Sequence, residues 1–150
     1  TLFPYTTLFR SKAAEIIASE MDTETVRIKD LRDQLYCSIK NNVPDVYLNG
    51  SETNRLYNNL NVSLEGIRSE VLISSIREIA FSSGAACSSR STKPSRILTA
   101  IGIPEQLAKS SIRFGLGRFT TKEEVDYTII KLINTVTELR KNSSAYITKD

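Results

Sequence analysis

The 150-residue sequence contains no histidine and no tryptophan, and it has only one methionine and two cysteines. Without histidine the chain lacks the commonest general base and the commonest metal ligand. Two cysteines cannot form a framework of several disulfides, and no CxxC pair indicates a zinc site. No apolar run approaches the roughly 18 residues of a membrane span. We therefore expect neither a metal site nor membrane insertion.

The sequence also lacks a large excess of charge of either sign. Twenty basic and 17 acidic residues give a net charge of +3, which is far from the concentrated basic surface of a nucleic-acid-binding domain. With 40% hydrophobic residues, a chain of this length can bury the core of one ordinary domain. We predict a cytoplasmic protein that binds neither nucleic acid nor membrane.

Residues 1–11, TLFPYTTLFRS, contain no acidic residue and show no helical spacing of apolar residues. Pro4 interrupts the apolar run and no basic segment precedes it, which argues against a signal peptide. A frayed terminal strand is a second interpretation. One choice of codons makes the stretch resemble a translated short-read sequencing adapter, and we favour this non-native origin. Native sequence would then begin near Lys12, and the true protein would continue upstream.

Apolar periodicity predicts a long helix over residues 12–42, which leads into a small domain over 43–142 and a tail over 143–150. Thr23 leaves open a division of the helix into two. The apolar positions of the helix follow one another at three- and four-residue steps with a single gap: Ile17, Met21, Ile28, Leu31, Leu35 and Ile39. If a partner domain is missing, part of this apolar stripe would be exposed.

The small domain alternates between strand and helix patterns. Strands are predicted at Val46–Leu48, Leu60–Leu64, Ile79–Phe81 and Ile112–Leu116. Helices are predicted at Ile67–Glu78, Pro94–Ile101 and Pro104–Lys109, and after a capping box at Thr121 and Glu124. This order predicts an α+β fold, with a small, mostly antiparallel sheet and helices packed on it.

A polar loop around Cys87, SSGAACSSRSTKP, carries the first candidate for chemistry. Arg90, Lys93 and Arg96 follow within nine positions, and nearby cations lower the pKa of a thiol. An accessible thiolate is a nucleophile. The alternative is a free cysteine in a serine-rich loop, and composition alone leaves both open. Cys37 lies off the apolar stripe of the long helix, and we interpret it as an incidental thiol.

Arg113 is the second candidate. It alternates with Ile112 and Phe114, so its side chain should lie on the opposite face of the sheet from theirs. The planar guanidinium matches a carboxylate through two parallel hydrogen bonds. The alternative is a surface salt bridge, which spacing alone favours because such pairs are common.

Several motifs resemble those of a known family. The run Ser82–Ser88, with Pro94 and Ser95 after it, resembles the active-site loop of cysteine desulfurases, in the branch with a long mobile loop that serves iron–sulfur cluster assembly. The run from Ser110 to Thr128, SSIRFGLGRFTTKEEVDYT, is similar to that family's closing signature. Family-like residues also stand at Arg27–Ile28, Leu31–Leu35, Tyr47–Gly50 and Leu60–Ser63. The resemblance covers residues 12 to 141.

This resemblance implies the C-terminal small domain of a fold-type-I enzyme that depends on pyridoxal phosphate and is a homodimer when complete. It implies that Arg113 binds the carboxylate of L-cysteine and that Cys87 attacks the substrate sulfur. Alanine leaves, and the persulfide on Cys87 passes to an iron–sulfur scaffold or another sulfur acceptor. The cofactor-binding residues would lie upstream, so none is assigned here and the fragment alone should be inactive. The tail does not match the segment that docks the scaffold in some members.

Two alternatives remain at this point. One is a stand-alone sulfur-carrier or thiol-binding module that uses Cys87 without pyridoxal phosphate. The other is a related class-V enzyme, such as a selenocysteine lyase or an aminotransferase. The loop argues against an aminotransferase, because transamination needs no nucleophilic cysteine.

Overall fold

A computed structural model of the chain describes residues 4–83, 94–143 and 146, with side chains from Phe9 onward. The helices of this part are α1 (Pro4–Asn42), α2 (Ser69–Ser75), α3 (Arg96–Ala100), α4 (Glu105–Lys109) and α5 (Lys122–Lys141). The strands are β1 (Val46–Leu48), β2 (Asn59–Leu64), β3 (Ser82–Ser83) and β4 (Ser111–Gly115). The predicted α+β fold is confirmed.

The four strands form one antiparallel sheet in the order β1-β2-β4-β3. Strand β4 therefore lies between β2 and β3. In its register, Arg113 is paired with Asn61 of β2 on one side and with Ser82 of β3 on the other. Because directly paired residues point to the same face of a sheet, these three side chains share one face.

The inner face of the sheet, which we define by Leu60, Val62, Leu64, Ile112 and Phe114, lies against the core. Helices α1 and α5 cover it with one stripe each, as the periodicity predicted. The buried residues of these stripes are Ile28, Leu31, Leu35 and Ile39 of α1 and Val125, Ile129, Leu132 and Val136 of α5. Removal of this apolar surface from water is the main driving force for the fold.

Helix α1 runs unbroken through Thr23, so of the two possibilities left open by the sequence the single helix is the one found. It already includes residues 4–11, which excludes the frayed-strand interpretation of that segment; the adapter origin stays a prediction. The apolar stripe is buried only in the second half of the helix. In the first half Ile17 and Met21 are 54% and 51% exposed.

Helix α5 begins with the predicted capping box. Thr121 Oγ1 accepts a hydrogen bond from the Glu124 backbone N–H (3.2 Å), and Glu124 Oε2 accepts one from the Thr121 N–H (3.0 Å). At the other end, the buried Arg140 guanidinium donates to the carbonyl oxygens of Pro44 and Glu65 at 2.7 Å each. Both ends of the helix are thus held by specific polar contacts.

The predicted strand at Ile79–Phe81 is wrong, because the backbone there is irregular and pairing with β4 starts only at Ser82. The apolar side chains of this segment pack against the core instead. The ring of Phe81 lies 5.5 Å from that of Phe114, centre to centre. Packing can bury apolar residues in an irregular segment, and their pattern alone cannot distinguish this from a strand.

Three helices are also shorter than predicted. Helix α2 covers Ser69–Ser75 rather than Ile67–Glu78, α3 covers Arg96–Ala100 rather than Pro94–Ile101, and α4 begins at Glu105 rather than Pro104. Ile67 and Ile76 are buried just outside the ends of α2. Because these two residues continue the apolar pattern of α2 but lie outside the helix, the pattern predicted too long a helix.

Candidate substrate-binding site on the outer face of the sheet

The outer face of the sheet, defined by Asn59, Asn61, Ser63, Ser111 and Arg113, is polar throughout. Helix α4 covers one end of it. There the Ser63 hydroxyl donates to the Leu107 carbonyl oxygen (2.8 Å) and the Ser111 hydroxyl to that of Ala108 (2.9 Å). Both serines are fully buried. The other end, at Asn61 and Arg113, is not covered by this helix.

Arg113 is exposed on the central strand, on the side opposite Ile112 and Phe114, as predicted. Its guanidinium forms no ion pair and no hydrogen bond with any residue in the described ranges 4–83, 94–143 and 146. The surface salt bridge considered from spacing is therefore not found in that part of the chain. An unpaired guanidinium on a rigid strand, with Asn61 and Ser82 beside it, can accept a carboxylate without first breaking a bond.

Beside Arg113 lies a network of hydrogen-bonded polar side chains that the sequence analysis did not predict. The buried Asn49 follows β1, and its Nδ2 donates to Asn61 Oδ1 (2.8 Å) and to Ser63 Oγ (2.9 Å). The network therefore connects the covered end of the outer face to the open end. Asn49, Asn61 and Ser63 all stand in family-like motifs, but the motifs alone did not indicate a contact with each other.

The turn that follows β4 is fastened to α1 by Arg27. Its guanidinium donates to the carbonyl oxygens of Arg118 (2.7 Å) and Thr120 (2.8 Å) and to both carboxylate oxygens of Glu24. The hydrogen bond from Arg27 lowers the pKa of Glu24, and Glu24 in turn raises the pKa of Arg27. Because the turn continues β4, this contact also limits movement at the end of the strand that carries Arg113.

Cys87, Arg90 and Lys93 lie outside the described residues. Strand β3 leads toward this segment: Cys87 follows Ser83 by four residues, and the preceding Ser82 is paired with Arg113. The other cysteine, Cys37, is free and exposed on α1, as expected for a thiol off the apolar stripe. The described residues include no group of three or more potential ligands that could hold a metal ion. None of the described helices combines the length and the hydropathy of a membrane span.

A cavity of about 500 Å³ opens on the other side of β4, between α1, α5 and residues 78–80. Apolar residues such as Leu35, Phe114 and Val125 line it together with Glu78 and Glu123. Arg113 does not line it. None of the described residues that line it is basic, so it offers no cation for a carboxylate. The outer face, which carries Arg113, is therefore the candidate site.

Comparison with known proteins gives consistent matches. Residues 7–128 match the model of the family described as aminotransferase class-V. The chain is 48% identical over 132 residues to the cysteine desulfurase IscS of Pasteurella multocida, which covers 88% of this chain and 32% of that protein. It is 44% identical over 131 residues to the IscS of Rickettsia typhi, covering 87% and 32%. The chain thus spans about a third of the length of the curated relatives it matches.

A solved structure described as a NifS-like protein superposes on the chain with a TM-score of 0.72 at 24% identity, covering 85% of this chain and 32% of that one. At this identity the likeness concerns the fold alone. It places the helix and sheet arrangement described above in a known architecture.

The described residues do not fit pyridoxal phosphate, the cofactor that the family resemblance implies. That cofactor needs a lysine for a Schiff base, held away from water. The described lysines are exposed or half-buried on the surface, and the half-buried Lys109 and Lys131 are engaged by Glu105 (2.6 Å) and Glu78 (3.0 Å). We therefore assign no cofactor contact to them.

Proposed function

The chain belongs to the class-V aminotransferase family, and from this premise we propose that it is part of a cysteine desulfurase that converts L-cysteine to L-alanine. In this assignment Arg113 binds the substrate carboxylate and Cys87 is the sulfur nucleophile. Pyridoxal phosphate is held by residues that do not lie in the described part of this chain. The curated relatives, which are about three times as long, leave room for such a site.

The observation that carries the proposal is the position of Arg113. Its guanidinium is exposed and unpaired among the described residues, and it lies next to β3, the strand that leads toward Cys87. Four extended residues span at most about 14 Å, so the chain connects Cys87 to the neighbourhood of Arg113 over a short distance. A carboxylate bound at Arg113 would therefore lie within reach of the thiol that attacks the same molecule.

The reaction assigned to these residues is a sulfur transfer. The Cys87 thiolate attacks the substrate sulfur, and a sulfur–sulfur bond forms as the carbon–sulfur bond of the substrate breaks. The electron pair of that bond stays with carbon, which takes up a proton, so that alanine leaves and a persulfide remains on Cys87. A second thiol, on an iron–sulfur scaffold or another acceptor protein, then removes the outer sulfur. A reducing compartment such as the cytoplasm suits a thiol that must be free in each cycle.

The complete protein is assigned as a homodimer, in keeping with the family. The stand-alone sulfur-carrier module is not favoured, since the relatives that match most of this chain are cysteine desulfurases. No observation favours a selenocysteine lyase or an aminotransferase over the proposed enzyme.

The test uses the complete protein, obtained by extending the sequence upstream in genomic DNA and loaded with pyridoxal phosphate. Alanine and sulfide release from L-cysteine is measured for the parent and for two cysteine variants, with dithiothreitol present to reduce the persulfide to thiol and sulfide. Cys87→Ser should lower kcat by at least about 100-fold, because the nucleophile is lost. Cys37→Ser is the matched control and should retain full activity, since that thiol is exposed on α1. Undiminished alanine release by Cys87→Ser would refute the assignment.

A further inference from the structure

The residue paired with Arg113 across the sheet provides a second group for recognition of a carboxylate. We infer that the side-chain amide of Asn61 donates a hydrogen bond to the carboxylate that Arg113 binds. The inference rests on the proposed function, since it refines the substrate site assigned there. It assigns Asn61 as a substrate-binding residue.

Hydrogen-bond polarity fixes the orientation of the Asn61 amide, starting from helix α4. The Leu107 carbonyl oxygen can only accept, so the single proton of the Ser63 hydroxyl is used in the 2.8 Å bond to it. Ser63 Oγ must then accept from its other close neighbour. That neighbour is Asn49 Nδ2 at 2.9 Å, whereas Asn49 Oδ1 is farther away at 3.2 Å.

The same nitrogen of Asn49 has a second proton, and it lies 2.8 Å from Asn61 Oδ1. Asn61 is therefore held with its oxygen toward Asn49 and its NH₂ group turned away from it. Within residues 4–83, 94–143 and 146, this NH₂ group has no hydrogen-bond partner. A series of hydrogen bonds that begins at the Leu107 carbonyl thus leaves both N–H donors of Asn61 unused on the outer face of the sheet.

The register places those donors next to Arg113. Asn61 and Arg113 are directly paired across β2 and β4, where Cβ atoms lie about 4.5–5.5 Å apart and side chains share a face. The two carboxylate oxygens have about four acceptor positions, of which a bidentate guanidinium uses two. A carboxamide donor beside the guanidinium can use a third. Asn61 should therefore contribute to affinity for the carboxylate without taking part in sulfur transfer.

The experiment measures binding of L-alanine, the amino acid formed in the proposed reaction, to the complete pyridoxal-phosphate-loaded protein by titration calorimetry. Asn61→Asp retains the oxygen that accepts from Asn49 and replaces the donor with an anion beside Arg113. We expect the Kd for L-alanine to rise at least about 10-fold, the size of one charge-assisted hydrogen bond. The KM for L-cysteine should rise by a similar factor with little change in kcat.

Asn59→Asp is the matched control. Asn59 lies on the same strand and the same face, two residues away and opposite Gly115. The Asn59→Asp substitution makes the same change of charge without removing a donor next to Arg113. The Kd for L-alanine should therefore rise less than about 3-fold. Equal weakening by both variants would mean a general effect of negative charge and would overturn the inference.

If Asn61→Asp does not fold, Asn61→Ala tests the same role of Asn61 in binding the carboxylate. It removes the donors without adding charge, and the Kd should rise about 3- to 10-fold; an unchanged Kd overturns the inference.

Arg113→Lys distinguishes the proposed carboxylate site at Arg113 from the proposed role of Asn61 in it, because lysine cannot form the bidentate pair. If Arg113→Lys weakens L-alanine binding and both Asn61 variants do not, only the role of Asn61 is lost. If Arg113→Lys has no effect, the carboxylate site itself is wrong.

Discussion

Alternate residues of β4 face two very different environments. Ile112 and Phe114 are buried against α1 and α5, whereas Arg113 between them is exposed and has no partner in the described part of the chain. A two-residue period is sufficient to separate the two roles, because successive side chains of a strand point to opposite faces. The inner face packs in the core, whereas the outer face is open to solvent at Arg113. Stability and binding can therefore be changed separately on one strand.

The largest expected effect on stability comes from the inner face. Ile112→Ala should lower the free energy of unfolding by about 2–5 kcal/mol, since it removes buried methyl groups and leaves a cavity in the core. Arg113→Ala, one residue away on the exposed side, should change it by no more than about 0.5 kcal/mol. Urea unfolding of both variants measures the difference. A comparable loss for Arg113→Ala would show that the two faces are not separable.

A smaller effect is expected where α4 covers the outer face. Ser63→Ala removes the hydroxyl that bonds to Leu107 and Asn49, so their polar groups lose a buried partner. The free energy of unfolding should fall by about 1–3 kcal/mol. Asn59→Ala, on the open part of the same strand, is the control and should cost less than about 0.5 kcal/mol. Equal losses in urea unfolding would mean that the outer face has no distinct covered end.

The smallest expected effect on stability concerns the Glu24–Arg27 ion pair, whose arginine also holds the turn after β4 against α1. The pKa of Glu24 is lowered in the folded chain by its hydrogen bond from Arg27. The ionised Glu24 carboxylate therefore adds to the free energy of unfolding, in full, at pH values above the unfolded-state pKa. This contribution is lost as the pH falls through the lower folded-state pKa. The stability advantage of the parent over Glu24→Gln should therefore be present at pH 7 and shrink below about pH 4.

Unfolding in urea at both pH values measures this difference, with the same pair compared in an Arg27→Gln background. There the advantage of Glu24 at pH 7 should be much smaller, because the larger of the two cations that lower its pKa is gone and only Arg118 remains. An advantage of undiminished size without Arg27 would mean that its hydrogen bond is not the main cause of the lowered pKa of Glu24.

Much of the fold was predictable because it depends on local alternation. Leu60, Val62 and Leu64 alternate with polar residues over a whole strand, and the capping box at Thr121 needs only four consecutive residues. The strand predicted at Ile79–Phe81 failed for the opposite reason. Its apolar residues are buried by packing against distant residues such as Phe114, and no local pattern distinguishes that from pairing.

The candidate site was likewise predictable only in part. Alternation placed Arg113 on the face opposite Ile112, and the family resemblance implied that it binds the substrate carboxylate. Neither indicated that Asn61 lies beside it, since the two residues are far apart in sequence and meet only through the register of β2 and β4. The role of Cys87 rests on the sequence and its resemblance, because the structure does not describe that residue.

The sequence by itself determined which residues are apolar, where the longest helices lie, and which side of β4 each residue faces, because these follow from the periods of helix and strand. Tertiary structure decided which half of the long helix is buried, that Arg113 has no partner among the described residues, and that the Asn61 amide is turned by Asn49, Ser63 and Leu107. Those properties depend on contacts between residues distant in the chain, and only folding brings such residues within hydrogen-bond distance.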